Sequence, residues 1–144
     1  MKKISKILIA FITATMLLVG CGSKDIQNTN IEEIALNEAK RIISEQGYTL
    51  KAEALSDSDV MIGDSQVFEF IKDASIKSGY SKDGFDSMTK DRKIIKYELE
   101  EKSKINEPIM LCIVVDKDKV IGAYLDYVRY MPGIEPVDFK DNFK

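Results

Sequence analysis

Apolar residues follow three different spacings along the 144-residue chain. The first spacing is no spacing at all. From Ile7 to Val19 runs an uncharged, mostly apolar stretch of 13 residues, preceded by Lys2, Lys3 and Lys6. A helix needs about 20 such residues to cross a hydrocarbon core of about 30 Å. The stretch fits instead the charged head and short apolar centre of an export signal, here residues 1–20.

The second spacing is helical. Ile31, Ile34, Ala35, Ala39, Ile42 and Ile43 share one face, with Glu32, Glu33, Glu38, Lys40 and Glu45 around them, which predicts a helix over 31–46. Asn30 with Glu33, or Thr29 with Glu32, offers a capping box, and Gly47 a left-handed stop. A second helix starts after Asp64 or Ser65, lines Val67, Phe68, Ile71, Ala74 and Ser78 on its inner side and ends at Gly79. Both helices end in Gly-Tyr, at 47–48 and 79–80, but their flanks do not match. A glycine cap followed by a packing aromatic explains both without an internal repeat.

The third spacing is the alternation of strands. Tyr48 to Leu55 alternates with Tyr48, Leu50, Ala52 and Ala54 on one face, and Ser56 to Asp59 reads as a turn before a short edge segment, Val60 to Ile62. Residues 81–91 form a polar loop pinned by Phe85 and Met88. Lys93 to Glu100 is a half-exposed strand with Ile95, Tyr97 and Leu99 inward. Ile109 to Val115 is apolar throughout, the mark of a central strand covered on both faces. Asp116 to Lys119 turns the chain and Val120 to Val128 returns it. Pro132, Gly133 and Pro136 interrupt regular structure past that strand, and Phe139 and Phe143 tuck the tail back.

The order helix, strand, helix, then three strands predicts an α+β fold, two helices packed on an antiparallel sheet of about four strands. One domain, 31–144, holds it. Residues 22–30 are polar without period and read, with Cys21, as a flexible tether of roughly 30 Å at full stretch.

Composition narrows the chemistry. The chain has no His, which removes Ser-His and Cys-His hydrolases and His-ligated zinc sites. An apolar content of 44% with 31% charged residues is that of a folded protein. Three of the 21 basic residues lie in 1–20, so the remainder sets 18 against 24 acidic residues, a net of −6. That sign argues against nucleic acid as a partner.

The apolar run closes with Leu18-Val19-Gly20-Cys21, which resembles the lipobox of bacterial lipoproteins. The resemblance implies a diacylglyceryl group on the Cys21 thiol, cleavage between Gly20 and Cys21, and, where the new amino group is also acylated, a third chain. It places the chain, lipid-anchored, on the extracytoplasmic face of the cell membrane. Two acyl chains hold a protein on a bilayer where one gives only marginal binding. Gly22 rather than Asp follows the Cys, so the inner-membrane retention signal of two-membrane bacteria is absent. Only three arginines (41, 92, 129) stand beside many Lys, Ile and Asn residues, which points to an AT-rich genome of the Firmicute kind. The folded part also loosely resembles an uncharacterised domain of small exported Firmicute proteins, through Gly47-Tyr48, Gly79-Tyr80, Gly84-Phe85, Lys96-Tyr97-Glu98 and Val120-Ile121-Gly122. That resemblance implies a fold and no catalytic residues.

Four groups of side chains could carry chemistry. Cys112 lies in the most apolar run, with no imidazole to activate it, and reads as an inert buried thiol. Asp57 with Asp59 and Asp116 with Asp118 alternate like calcium ligands but lack the Gly and Glu of an EF-hand loop, so turn chemistry explains them and no metal is expected. Glu98, Glu100 and Glu101 could pair for acid-base work, yet the wet face of a strand explains them as well. Tyr124, Tyr127, Arg129 and Tyr130 are the candidate interface, because Tyr and Arg concentrate binding energy, although strand alternation sends at least one tyrosine inward. The expectation is a non-catalytic binding or accessory domain without cofactor, held to the membrane through Cys21, with a protein partner in the envelope. A carboxylate-using envelope hydrolase or transferase and an inhibitor of another exported enzyme are the alternatives. The chain has material for one lobe, which argues against a two-lobed solute receptor.

Overall fold

The run Ile109 to Val115 sets the architecture, because a strand without a polar side must be covered twice. In the computed structural model, which describes residues 25–51, 56–58, 66–129, 133–140 and 143, with backbone alone at 25–29 and 56–58, it is the centre of the sheet. The elements are α1 (Asp25–Gln46), β1 (Ser56–Ser58), α2 (Gln66–Lys77), α3 (Lys82–Asp86), β2 (Arg92–Lys102), β3 (Pro108–Asp116), β4 (Lys119–Tyr127) and β5 (Ile134–Glu135). The five strands lie in chain order and every neighbouring pair is antiparallel. The class is α+β.

From Ile94 to Leu99, Ile109 to Val115 and Gly122 to Tyr127, odd-numbered residues face one layer and even-numbered residues the other; at the irregularity in β4 the order reverses, with Val120 on the first layer and Ile121 on the second. Ile95, Tyr97, Leu99, Ile109, Leu111, Ile113, Val115, Ala123, Leu125 and Tyr127 pack with Ala35, Ala39 and Ile42 of α1. Ile94, Cys112, Val114 and Tyr124 pack with Ile71 and Ala74 of α2 and Phe85 of α3. The two long helices therefore lie on opposite faces. β2, expected to be wet on its second face, is buried there too at Ile94, which joins the cluster of Cys112, Val114, Ile71 and Phe85.

Both glycine caps form as the sequence predicts. Gly47 (φ 71) and Gly79 (φ 95) are left-handed. Tyr80 N bonds Ser75 O and Gly79 N bonds Ile76 O, a Schellman closure, while Gly47 N and Tyr48 N share Ile43 O.

Several boundaries differ from expectation. α1 starts at Asp25 rather than 31, so the backbone of 25–30, expected as tether, is helical and Asn30 is not its cap. No Gly or Pro interrupts 25–46, and a helix bonds within itself, so it continues past the turns that pack. The strand expected over 48–55 is reduced, within its described part, to a Leu50 to Leu99 bridge and two backbone bonds, Lys51 N to Glu98 O and Glu100 N to Thr49 O. The expected turn at 56–59 supplies the edge strand instead, Ser56 to Ser58 opposite Ile94 to Lys96. Residues 52–55, the segment 60–62 and the caps Asp64 and Ser65 lie outside the described residues. Val67 is half exposed, and Ser75 takes an inner place. The expected loop 81–91 contains α3, capped by Ser81, whose Oγ accepts from Asp83 N at 3.2 Å.

Glycines explain how closely this layer sits. A Cβ on Gly84 would come 3.2 Å from Ile121 Cβ. Ile121 is itself displaced by the irregularity that separates Val114 opposite Gly122 from Val115 opposite Val120. A Cβ on Gly122 would come 2.6 Å from both Phe85 Cζ and Ser75 Oγ. Ser75 is fully buried and its hydroxyl has no hydrogen-bond partner. The helices thus rest on bare backbone at Gly122.

Two stability changes of opposite sign are expected from urea denaturation. Gly122→Ala overpacks the contact and destabilises by about 1–3 kcal/mol. Ser75→Ala removes a buried hydroxyl without a partner and raises stability by about 1 kcal/mol.

Candidate functional site

Gly20, Cys21 and Tyr130 lie outside the described residues. The tyrosines that the sequence offered as an interface are inside. Tyr124 (3% exposed) packs in the α2 layer and Tyr127 (1% exposed) in the α1 layer. Positions three apart in β4 point to opposite faces, and both faces are covered. The Tyr127 hydroxyl donates to Phe139 O at 2.7 Å. Neither ring is offered to a partner. Arg129 does lie on the surface, in the left-handed region (φ 70), where Nη1 meets Glu107 Oε1 at 2.9 Å.

Cys112 sits among Ile94, Val114 and Tyr124 with no exposed surface. Burial pushes its thiol up to about 12, with the Asp126 charge adding to the effect. A thiol so placed is protonated at neutral pH, and the thiolate is the nucleophilic form. Asp116 is occupied by Thr89, whose Oγ1 donates to Oδ1 at 2.5 Å and whose N lies 3.1 Å from Oδ2. It fastens the chain leaving α3 to the β3 to β4 turn, where Lys117 is left-handed (φ 58). The side chain of Asp57 is not described and Asp59 lies outside the described residues. Among the described residues no three acidic or thiol side chains gather as metal ligands would.

The three glutamates do not converge. Glu98 stands opposite Met110 on the α2 side of the sheet. Its Oε1 lies 2.7 Å from Lys51 Nζ and 3.2 Å from Lys102 Nζ. Those two ammonium groups, Lys51 first, hold the Glu98 carboxyl below the usual carboxylate range. Glu100 is exposed, and Glu101 Oε1 accepts from Thr49 N at 2.8 Å, fastening the chain after α1 to β2. On the same face as Glu98, Lys96 Nζ and Asp126 Oδ2 meet at 3.2 Å across β3. This part of the sheet is a lattice of opposite charges. Its chemistry is to hold ions in place, since a carboxyl kept ionised by two cations is a poor proton donor.

Alternation alone marks Lys96 and Glu98 as outward. What it does not show is that Lys51 and Asp126, 47 and 28 residues from Glu98, stand beside them, because that depends on register. A second linkage was equally hidden. Tyr80, just past the α2 cap, donates its hydroxyl to Glu38 on α1. Arg41 grips the same carboxylate through Nε at 3.0 Å and Nη2 at 2.7 Å, and Glu45 through Nη1 at 2.6 Å.

No protein-family model matches the chain, and no curated protein or solved structure does either.

Two measurements check the electrostatics. The Arg41 guanidinium holds the Glu38 carboxyl below its ordinary value against the opposing effect of burial. A depressed folded-state pKa adds stability above the unfolded value, about 4.3, that disappears as pH falls through the folded one. The urea stability gap between wild type and Glu38→Gln should therefore narrow as pH falls below about 5 and close once pH is below the folded-state value. For Cys112, peptide mapping after iodoacetamide at pH 8 should find no adduct in the folded chain and full modification in urea.

Proposed function

We propose that the chain is a bacterial lipoprotein whose domain is a small, non-catalytic binding or accessory module, held on the extracytoplasmic face of the membrane by a diacylglyceryl group on Cys21. The observation that carries this reading is Leu18-Val19-Gly20-Cys21, placed directly after three lysines and a 13-residue apolar run. Each part has its task. The lysines stay on the cytoplasmic side, the short run presents the bond, small Gly20 admits a protease, and the thiol accepts the lipid.

The domain supports the non-catalytic part of the reading through the states of its reactive groups. Glu98 is held between two ammonium groups, Asp116 is bound by Thr89, and the Cys112 thiol is sealed inside. With α1 described from Asp25, no more than residues 22–24 separate the anchor from the helix. Such a domain would stand close to the headgroups.

Metabolic labelling with an alkyne analogue of palmitate tests the anchor. Wild type should carry the label and sediment with membranes, and Cys21→Ala should lose the label. Equal labelling of the two would overturn the reading.

A further inference from the structure

The direction of α1 fixes which end of the sheet lies nearest its start. Past Gly47 the chain is fastened where β3 begins: Lys51 N donates to Glu98 O, opposite Met110, Thr49 N donates to Glu101 Oε1, and the Phe143 ring rests on both Tyr48 and Tyr127. From there α1 lies chiefly over β3. The core it covers extends to Val115, at the other end of β3, and Ile31, Ile34 and Val120 pack against that core. α1 therefore runs antiparallel to β3. Its 22 residues span about 33 Å against about 30 Å for the nine residues of β3, which puts Asp25 at the level of the Asp116 to Lys119 turn.

That turn is joined to the chain leaving α3. Thr89 Oγ1 donates to the Asp116 carboxylate and Lys117 N donates to Asp91 O at 3.3 Å. The two segments bring together Lys90, Arg92, Lys93, Lys117 and Lys119 with Asp91, Asp116 and Asp118. Five bases against three acids give this end a charge of +2, whereas the remainder of 21–144 sets 13 basic against 21 acidic residues, a net of −8. Lys90, Lys117 and Lys119 are exposed, and of the acids Asp116 is already engaged by Thr89. The outer side of α1 has the opposite sign, with Glu32, Glu33, Glu38 and Glu45 against Lys40 and Arg41. At the far end of the sheet stands the β2 to β3 turn, with Ile105 54% exposed.

We propose that this basic end is the surface the domain lays against anionic lipid headgroups, so that the domain stands with the 116–119 turn on the membrane and the 103–107 turn pointing away from it. The inference rests on the anchor proposed at Cys21. Residues 22–24 reach roughly 10 Å at full stretch, comparable with the Debye length of about 8 Å at physiological salt. Lysines held at that range are drawn to anionic lipid. The leash alone allows the domain either to lie along α1 or to stand on the turn. Charge selects between the two, because the acidic side of α1 is repelled by the surface that attracts Lys90, Lys117 and Lys119.

Fluorescence quenching tests this with the full lipidated chain added to preformed vesicles of phosphatidylglycerol and phosphatidylcholine that carry a headgroup spin label. With Cys21 acylated and Cys112 sealed inside, a bimane attaches at one introduced cysteine, either Lys119→Cys, which gives up a lysine of the surface itself, or Ile105→Cys. Quenching at 119 should exceed quenching at 105 several-fold. Raising the salt to 1 M, or adding the exposed changes Lys90→Gln and Lys117→Gln, should remove most of that excess. Equal quenching at the two positions, or stronger quenching at 105, overturns the proposal. An excess unchanged by both salt and the glutamines assigns the orientation to the leash and overturns the docking surface. Intact mass of the same chains reports the diacylglyceryl group, so a missing anchor, which overturns both readings, is distinguished from a failed orientation on an intact anchor.

Discussion

Burial of β3 on both faces is the constraint on which the rest of the molecule depends. Leu111, Cys112, Ile113, Val114 and Val115 have no exposed surface, and consecutive residues of a strand point opposite ways. A single helical layer would leave half of them in water. The chain meets the demand by placing α1 over the odd positions and α2 with α3 over the even ones. This arrangement has two consequences. The even layer must come down far enough to exclude water, which Gly122 and Gly84 permit by carrying no Cβ. The tyrosines of β4, lying beside β3 in the sheet, are drawn into the two cores.

The sequence was legible where one residue's chemistry decides the backbone or where periodicity is long. The two glycine caps, the central strand and the hairpin return at Asp116 to Lys119 stand where pattern places them. It was less legible where tertiary pairing chooses between equal candidates. Tyr48 to Leu55 alternates better than Ser56 to Ser58, yet among the described residues the regular pairing with β2 is made by the latter, since ladder bonds are made by backbone whatever the side chains. Gly84 reads as loop by propensity, and only its distance to Ile121 explains a glycine inside α3. The start of α1 was missed because amphipathic pattern reports where a helix packs, not how far it extends into water.

The candidate chemistry divides along the same line. Apolar surroundings identified Cys112 as buried from sequence alone, and the structure agrees. Alternation sends at least one of Tyr124 and Tyr127 inward, and the second helical layer buries the other as well. The ionic lattice of Lys51, Glu98 and Lys102, with Lys96 and Asp126 beside it, was invisible because each pair is assembled by strand register. Exposed ion pairs contribute little singly, up to about 1 kcal/mol each. Their alternation instead leaves that half of the sheet face polar and specific in shape, a surface on which apolar association is disfavoured.

The contact between the tail and α1 acts in time as well as in space. Lys140 Nζ reaches Gln46 O at the carboxyl end of α1, across 94 residues of chain, and the tail beyond it closes on Tyr48. β2, β3 and β4, by contrast, pair with their neighbours in sequence, the kind of contact that forms early. A chain delivered amino end first, in synthesis or in export, presents α1 first and residues 134–143 last. The sheet can therefore assemble while the α1 layer still lacks its final side, and that side is completed only when Val137, Phe139 and Phe143 arrive.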